Sequence, residues 1–272
     1  MFTRLAVDEI APTYLVVARL FLASILLGPI FIRKKDLILM SKEIPSILIL
    51  GIINAALPFF LFAYAAQDLS AGMLSILNGT SPLFALIIAI TWFRQNTTLM
   101  QILGLGLGFL GLMVFIGTDQ LSFIFYPVLL CLIGAFCYAY SNNILFRLNH
   151  IKSAALASVT MISGFFFSLP LIFLETTDFS MDLSLKIIFA IFFLGLVSTG
   201  VSFIAYVVLL QRSSPVQASS IIFLVPVTGI FWGAIFLDEV ITNNVLLGAG
   251  FILFGIALTN LFLSLIHISE PT

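Results

Sequence analysis

Charged residues are scarce in this sequence. Asp, Glu, Lys and Arg make up 8% of its 272 residues, whereas 61% are hydrophobic and the mean hydropathy is +1.23. A soluble globular domain carries about 25% charged residues because its surface faces water. We therefore expect lipid to surround most of this chain. Its net charge of −1 provides no basic field that would attract nucleic acid.

The sequence also lacks the groups on which most enzyme and cofactor chemistry depends. Cys131 and Cys137 lie six residues apart in one apolar segment and would point to different faces of a helix, so they are expected to be small buried hydrophobes rather than a disulfide. His150 and His267 lie at the ends of apolar segments, which argues against metal or haem ligation in the bilayer. There is no P-loop, and no apolar segment carries a buried Asp, Glu or Lys, so neither ATP hydrolysis nor an intramembrane proton relay is predicted. We expect no cofactor, no metal and no catalytic residue, and hence no enzyme.

What the chain has instead is a series of apolar segments of about 20 residues, the length that crosses a bilayer core as a helix. The breaks between them are too short to hold a soluble domain. The predicted fold class is therefore an all-α, polytopic membrane protein with nine complete transmembrane helices. The segments are 12–32, 45–66, 71–93, 100–117, 122–146, 153–174, 185–210, 216–237 and 245–266.

The basic residues in the breaks and at the ends of these segments fall mainly on one side of the membrane. When the breaks are assigned alternately, the second side receives only Arg4 and Lys186. Because Lys and Arg are enriched in cytoplasmic loops, the first side is predicted to face the cytoplasm. We therefore expect a multi-pass protein of a bacterial inner (plasma) membrane with a cytoplasmic C-terminus. The basic residues of the first side are Arg33, Lys34, Lys35, Lys42, Arg94, Arg147, Lys152 and Arg212.

Both ends depart from this pattern. Residues 1–11 read as the remnant of a further helix followed by a loop, so we expect the first of ten parent helices to be mostly missing. The sequence from Ser264 to Thr272, SLIHISEPT, resembles translated adapter sequence. Residues 267–272 are accordingly expected to be a non-native tail.

An internal repeat relates the two halves of the chain. At an offset of 144 residues Pro82 coincides with Pro226, and three glycines coincide with three others. Five spans per copy is an odd number, so the second copy is predicted to be inverted in the membrane, as in many secondary transporters. The predicted repeats are residues 1–118 and 122–266. The glycine pairs are Gly104 and Gly248, Gly106 and Gly250, and Gly111 and Gly255.

Several short patterns occur in a characteristic order. Pro12 is followed by ARLFLAS at residues 18–24, and each half has a helix with a central proline, a short polar turn and a glycine-rich helix. In the second half these are Pro226, Asp238-Glu239 and residues 248–255. This order resembles the EamA family of the drug/metabolite transporter (DMT) superfamily over about residues 1–263. It departs from the family at Gln95, where a glutamate is expected, which indicates that the acidic position is a helix terminus rather than a coupling group.

The resemblance implies ten helices in two inverted five-helix repeats. It also implies a secondary transporter or exporter that moves small amino-acid-like or drug-like metabolites by alternating access between the repeats. The alternatives are a membrane scaffold or orphan subunit and an intramembrane lipid-modifying enzyme. The expected partners are a small-molecule substrate and the lipid bilayer.

Prolines and polar residues at membrane depth are the candidates for a substrate cavity. Proline removes a helical hydrogen bond and frees a carbonyl, so Pro82 and Pro226 either line the cavity or form kinks whose carbonyls are satisfied by nearby hydroxyls. Arg19, the one basic residue well inside a span, either lines the cavity mouth or snorkels to the outer interface. Each of the other candidates could instead form a helix–helix hydrogen bond. The full set is Arg19, Asn54, Tyr64, Asn78, Pro82, Tyr138, Asn142, Ser198, Tyr206, Ser220 and Pro226.

The repeated glycines predict close helix packing. Small residues let helix backbones approach each other in lipid, and no strand precedes these glycines as phosphate binding would require. Pairing of the same stripe with a second protomer would give a homodimer, and the sequence leaves both arrangements open. The packing glycines are Gly104, Gly108, Gly111, Gly248 and Gly255.

Overall fold

The computed structural model describes residues 1–31, 34–92, 94, 98–116, 121–175, 183–212 and 224–268. Every secondary-structure element in these residues is helical, because a helix in lipid satisfies its own backbone hydrogen bonds. The prediction of an all-α chain is confirmed. The α-helices are α1 Phe2–Ala6, α2 Pro12–Phe31, α3 Lys34–Ser41, α4 Ile44–Leu50, α5 Leu57–Ala65, α6 Ala71–Asn78, α7 Ser81–Thr91, α8 Leu99–Ile116, α9 Leu121–Arg147, α10 Ser153–Ser168, α11 Leu185–Phe192, α12 Ser202–Arg212, α13 Leu224–Leu237 and α14 Asn243–Ile268.

Three helical segments whose turns are wider (π) or tighter (3₁₀) than those of an α-helix continue these helices. Segment π1, Gly51–Ala56, joins α4 to α5 as a π-helix, and segment π2, Phe193–Val201, joins α11 to α12 in the same way. A 3₁₀-helix, Leu169–Leu174, extends α10. Helical periodicity in a sequence does not distinguish these registers, and π1 and π2 are absent from the sequence-based expectations.

Five helical stretches within the described residues are long and apolar enough to cross a bilayer. Four shorter apolar helices, Pro12–Gly28, Leu99–Val114, Val225–Leu237 and Asn243–Leu258, coincide with other predicted segments. The total of nine spans stays a prediction. The five long stretches are Ile44–Ala65, Ala71–Ile88, Phe125–Arg147, Ser153–Phe173 and Leu185–Arg212.

Large apolar side chains point outward along these helices. Phe173 is 90% exposed and Leu185 84% exposed, and many other Phe, Leu and Ile side chains are more than 40% exposed. Such a surface would favour aggregation in water, but it matches a hydrocarbon environment.

The chain forms two compact units. The first unit consists of residues 2–67 and 140–212, and the second of residue 1 with residues 68–139 and 213–272. In the first unit α2 packs on α10 and π2, and α10 also packs on π1. In the second unit α8 runs along α14, and α6 runs along α13.

Glycines bring the helix backbones of the second unit into contact. A Cβ atom added to Gly255 would lie 2.5 Å from the Gly104 oxygen and 2.7 Å from the Gly108 nitrogen. One added to Gly111 would lie 2.7 Å from the Ile252 nitrogen and 2.8 Å from the Gly248 oxygen. The structure thus places all five predicted packing glycines in the α8–α14 interface.

Candidate substrate site

Arg19 is buried in the first unit, with 8% of its surface exposed. Its Nε and Nη2 atoms donate hydrogen bonds to Thr199 Oγ1 at 3.1 and 2.9 Å. The guanidinium carbon lies 3.9 Å from the centroid of the Phe59 ring, a cation–π distance. Arg19 therefore turns into the unit and fastens α2 to π2.

Asn54 lies in π1 and is also buried, with 3% of its surface exposed. Its Nδ2 atom donates to the Ser141 hydroxyl of α9 at 2.6 Å. The contact joins two helices of the first unit. Asn54 thus forms a helix–helix hydrogen bond, the alternative to a place in the substrate cavity.

We expect Ser141→Ala to lower the free energy of unfolding by about 0.6–2 kcal/mol, the range for an interhelical hydrogen bond in a membrane. Ser163→Ala is a matched control because the Ser163 hydroxyl is buried without a hydrogen-bond partner. The control should be neutral or stabilising. Unfolding in mixed micelles, followed by circular dichroism, would measure both, and equal losses would contradict the assignment.

Four further candidates contact polar partners in the first unit or reach its surface. The Tyr206 hydroxyl donates to Asn142 Oδ1 at 2.9 Å. The Tyr64 hydroxyl points to Glu175 Oε2 at the longer distance of 3.5 Å. Ser198 lies in π2 and is exposed. The first unit thus contains six of the candidates, three of which lie in or contact a π-helical segment.

The π-helical register has a visible cause in π1. Pro58 follows this segment and has no N–H group to donate, so the α-helical ladder cannot continue through it. The Leu57 N–H donates to the Ile52 oxygen, five residues back. In π2 the Ser202 N–H and hydroxyl both donate to the Val197 oxygen, the hydroxyl at 2.9 Å. Wide turns of this kind are frequent at functional sites.

Pro82 lies at a break in the second unit. Helix α6 ends at Asn78, and α7 begins at Ser81. Pro82 cannot donate to the Asn78 oxygen, and the Ser81 hydroxyl donates to it instead at 2.7 Å. The Thr80 hydroxyl donates to the Leu77 oxygen at 2.6 Å. The local geometry is therefore a kink whose carbonyls are satisfied by hydroxyls, one of the two arrangements considered from the sequence.

Pro226 lies on α13 and packs against the same break. A Cβ atom added to Gly79 would lie 2.8 Å from Pro226 Cγ. Pro226 thus lies beside the turn between α6 and α7 that precedes Pro82. Asn78 and Tyr138 are half-buried in the second unit, and Ser220 lies outside the described residues.

Glu239 contacts the beginning of α6. Its Oε1 atom accepts a hydrogen bond from the Ala71 N–H at 2.5 Å, and its Oε2 atom accepts one from the Gly72 N–H at 3.1 Å. This carboxylate therefore lies at a helix terminus. In the part of the chain that the structure describes, no three His, Cys, Asp or Glu side chains are grouped as metal ligands.

The comparisons with known proteins decide the family. The profile of the EamA-like transporter family matches residues 1–117 and 125–261. The chain belongs to the EamA-like transporter family. The resemblance to EamA proteins of the DMT superfamily is thereby confirmed, and with it a multi-pass membrane protein of the transporter class.

Individual EamA relatives agree with this assignment. The chain is 25% identical over 258 residues to the uncharacterized transporter YoaV of Bacillus subtilis. The aligned region covers 93% of this chain and 88% of YoaV. It is 26% identical over 220 residues to an uncharacterized transporter of Archaeoglobus fulgidus, covering 79% of this chain and 77% of the relative. A solved crystal structure shares the fold with a TM-score of 0.65 at 12% identity and covers 96% of this chain and 91% of that one.

Membership of the EamA-like family has three consequences. The class of partner is a small-molecule substrate, the surroundings are membrane lipid, and the family activity is transport rather than catalysis.

Proposed function

We propose that this protein is a secondary transporter of small solutes that works by alternating access between two inverted five-helix repeats, residues 1–118 and 122–266. Nine complete spans and the remnant of a tenth would form these repeats in a bacterial inner membrane, with the C-terminus in the cytoplasm. Reciprocal contacts between the two halves of the chain are the observation that carries the proposal.

We call two residues mates when they occupy equivalent places in the two repeats. A two-fold axis between the repeats requires contacts to occur in reciprocal pairs. If a residue touches the mate of a second residue, the second must touch the mate of the first, as in an isologous interface. Gly111 approaches the Gly248 oxygen, and Gly255 approaches the Gly104 oxygen. These two contacts are mates at the 144-residue offset, and they support a two-fold axis through the α8–α14 pair.

Polar contacts in the first unit obey the same rule at an offset of 141 residues. Glu9 accepts hydrogen bonds from the Ser184 N–H at 3.0 Å and from its hydroxyl at 2.9 Å. His150 Nε2 lies 3.8 Å from Glu43 Oε1. Residue 150 is the mate of residue 9, and residue 184 is the mate of residue 43. In the predicted orientation the first contact lies outside and the second inside, which supports inversion.

A third reciprocal pair relates the two π-helical segments. A Cβ atom on Gly51 would lie 2.5 Å from Ser163 Cβ, and one on Gly195 would lie 2.6 Å from Leu22 Cβ. Ser163 is the mate of Leu22 at offset 141, and Gly195 is the mate of Gly51 at offset 144. The offset therefore grows by three residues between Ser184 and Gly195, across α11 and the first residues of π2. As a whole π2 has nine residues, and π1 has six.

The residues available favour a neutral or zwitterionic solute. The chain is rich in aromatic side chains, with 29 Phe, and its candidate polar groups are mostly amides and hydroxyls. Binding sites for small molecules commonly combine apolar walls with a few polar groups that orient the ligand. Amino-acid-like and drug-like solutes have this chemistry.

Counterflow into proteoliposomes would test the proposal. We expect the purified protein to exchange at least one solute from a panel of amino acids and apolar amphiphiles, with empty liposomes as the control. An absence of counterflow with every solute tested would contradict it.

The repeated prolines give a sharper form of this test. We expect Pro82→Ala and Pro226→Ala to lower the exchange rate by about tenfold while membrane insertion is unchanged, because helix breaks absorb conformational changes in transport and catalysis. Pro45→Ala, at the exposed beginning of α4, is the control and should retain wild-type flux. A scaffold protein would tolerate all three replacements equally.

A further inference from the structure

We infer that Glu239 is a positioning residue that fastens α6 to α13, so that these two helices move as one body about the Gly79–Ser81 turn. The inference rests on the proposed transport function. It assigns to Glu239 a mechanical role and excludes this carboxylate as the carrier of a coupling proton or cation.

Both carboxylate oxygens are used by backbone groups. The first N–H groups of a helix have no partner within the helix. In α6 the Ser70 hydroxyl accepts from the Met73 N–H at 3.2 Å, while Glu239 accepts from Ala71 and Gly72 across 168 and 167 residues of sequence. Negative charge at this end of a helix is also favoured by the helix dipole. Glu239 therefore completes the cap of a helix to which it does not belong.

Glycines on α13 make room for this contact. A side chain at Gly233 would overlap Glu239 Oε2 and approach the Gly72 nitrogen at 3.5 Å. A side chain at Gly229 would overlap the side chain of Ser75. Since Pro226 meets Gly79 at the far end, the two helices are in contact along the whole length of α6.

The contact of α13 with α6 reaches the turn after α6, where Pro226 meets Gly79. Gly79 and Thr80 form a turn between α6 and α7, and the hydroxyls of Thr80 and Ser81 donate to the two carbonyl oxygens before it. The break therefore leaves those two carbonyls bonded, and bending there need not break an α-helical hydrogen bond. The body formed by α6 and α13 can then turn relative to α7.

The sequence of the first half agrees with a mechanical role. The mate of Glu239 is Gln95, so the two halves do not both retain a carboxylate at this position. A capping side chain is needed only where a helix terminus lies next to it. A side chain that carries a coupling proton or cation would instead need its ionisable group.

The test compares Glu239→Ala and Glu239→Gln with the matched control Asp238→Asn. Asp238 is exposed and adopts φ 52°, a conformation that Asn accepts readily, so the control removes one negative charge next to Glu239 and no hydrogen bond to α6. Hydrogen exchange of a peptide containing Ala71 and Gly72, measured by mass spectrometry in liposomes, reports the fastening directly. We expect exchange at each of the two amides to be faster by at least about tenfold in Glu239→Ala, because each loses a hydrogen bond to a charged group, and to be unchanged in Asp238→Asn.

Counterflow by the same variants links the fastening to transport. We expect Glu239→Ala to lose about tenfold in flux at unchanged insertion, and Glu239→Gln, which keeps one acceptor oxygen, to recover part of both flux and exchange protection. Glu239→Asp keeps the charge but is one methylene shorter, so it should recover less than Glu239→Gln. Gly233→Ala displaces the carboxylate without removing it, so it should also lower flux and speed exchange at α6. It replaces Glu239→Ala in the test if Glu239→Ala inserts poorly into the membrane.

Three results would overturn the inference. These are unchanged exchange at α6 in Glu239→Ala, faster exchange with wild-type flux, and full recovery by Glu239→Asp with none by Glu239→Gln. The last result would identify the carboxylate as a charge carrier. If the wild-type protein shows no counterflow with any solute, the proposed function fails, while the exchange measurement still decides whether Glu239 fastens α6.

Discussion

Alanine at Gly255 is expected to lower the free energy of unfolding by about 1–3 kcal/mol, the usual cost of overpacking. The added Cβ would lie 2.5 Å from the Gly104 oxygen and 2.7 Å from the Gly108 nitrogen. These are backbone atoms of α8, which cannot rotate away as a flexible side chain can. The two helices would have to separate along their whole contact.

The controls for this replacement should not lower the free energy of unfolding. Gly250 and Gly106 lie on the same two helices, and no atom is within 4 Å of a Cβ atom built on either. Alanine is favoured over glycine in a helix by about 1 kcal/mol, so Gly250→Ala and Gly106→Ala are expected to be neutral or stabilising. Gly111→Ala should behave like Gly255→Ala. Reversible unfolding in mixed micelles measures all four, and equal stability of Gly255→Ala and Gly250→Ala would contradict this account of the interface.

Removal of the Thr199 hydroxyl is the second replacement with a large expected effect. Thr199→Val keeps the shape of the side chain but removes the atom that accepts two hydrogen bonds from the Arg19 guanidinium. Hydrogen bonds to charged groups contribute about 1.5–3 kcal/mol each, and loss of a partner in a buried site adds a desolvation cost. We expect a loss of at least about 2 kcal/mol.

Conservative replacements at the same site separate the hydrogen bonds from packing. Thr199→Ser keeps the acceptor and should retain most of the stability. Arg19→Lys keeps the charge but loses the planar group that donates twice to Thr199 and stacks on Phe59, so it is expected to be destabilising. A double-mutant cycle of Arg19→Leu with Thr199→Val would measure the coupling free energy. A coupling near zero would show that the contact does not contribute to folding.

The sequence was sufficient for those parts of the fold that depend on local patterns. The first apolar segment was predicted to begin at residue 12, and α2 begins at Pro12, because proline favours the first turn of a helix. The α8–α14 glycines were visible because the same residue type recurs at one offset. These features require no knowledge of which helices are neighbours.

The remaining features depend on contacts between distant residues. Arg19 and Thr199 are 180 residues apart, and no local pattern joins them. Phe59 and Ser141 are ordinary residues of apolar helices and carry no sequence signal of their roles. The polar contacts at offset 141 could not be predicted from the sequence either, because the mates Glu9 and His150 differ in residue type although they occupy equivalent places.

The nine-residue segment π2 has a consequence for how such chains can change in length. Each residue inserted into an α-helix advances it by 1.5 Å and turns all that follows by about 100°, so three extra residues would carry the next side chains out of register with their neighbours. A wide turn takes up extra residues without rotating the helix beyond it by the same amount. Insertions and deletions among homologous membrane helices are thus expected at such turns as well as in the connecting loops, and a gap placed inside a span need not be an alignment error.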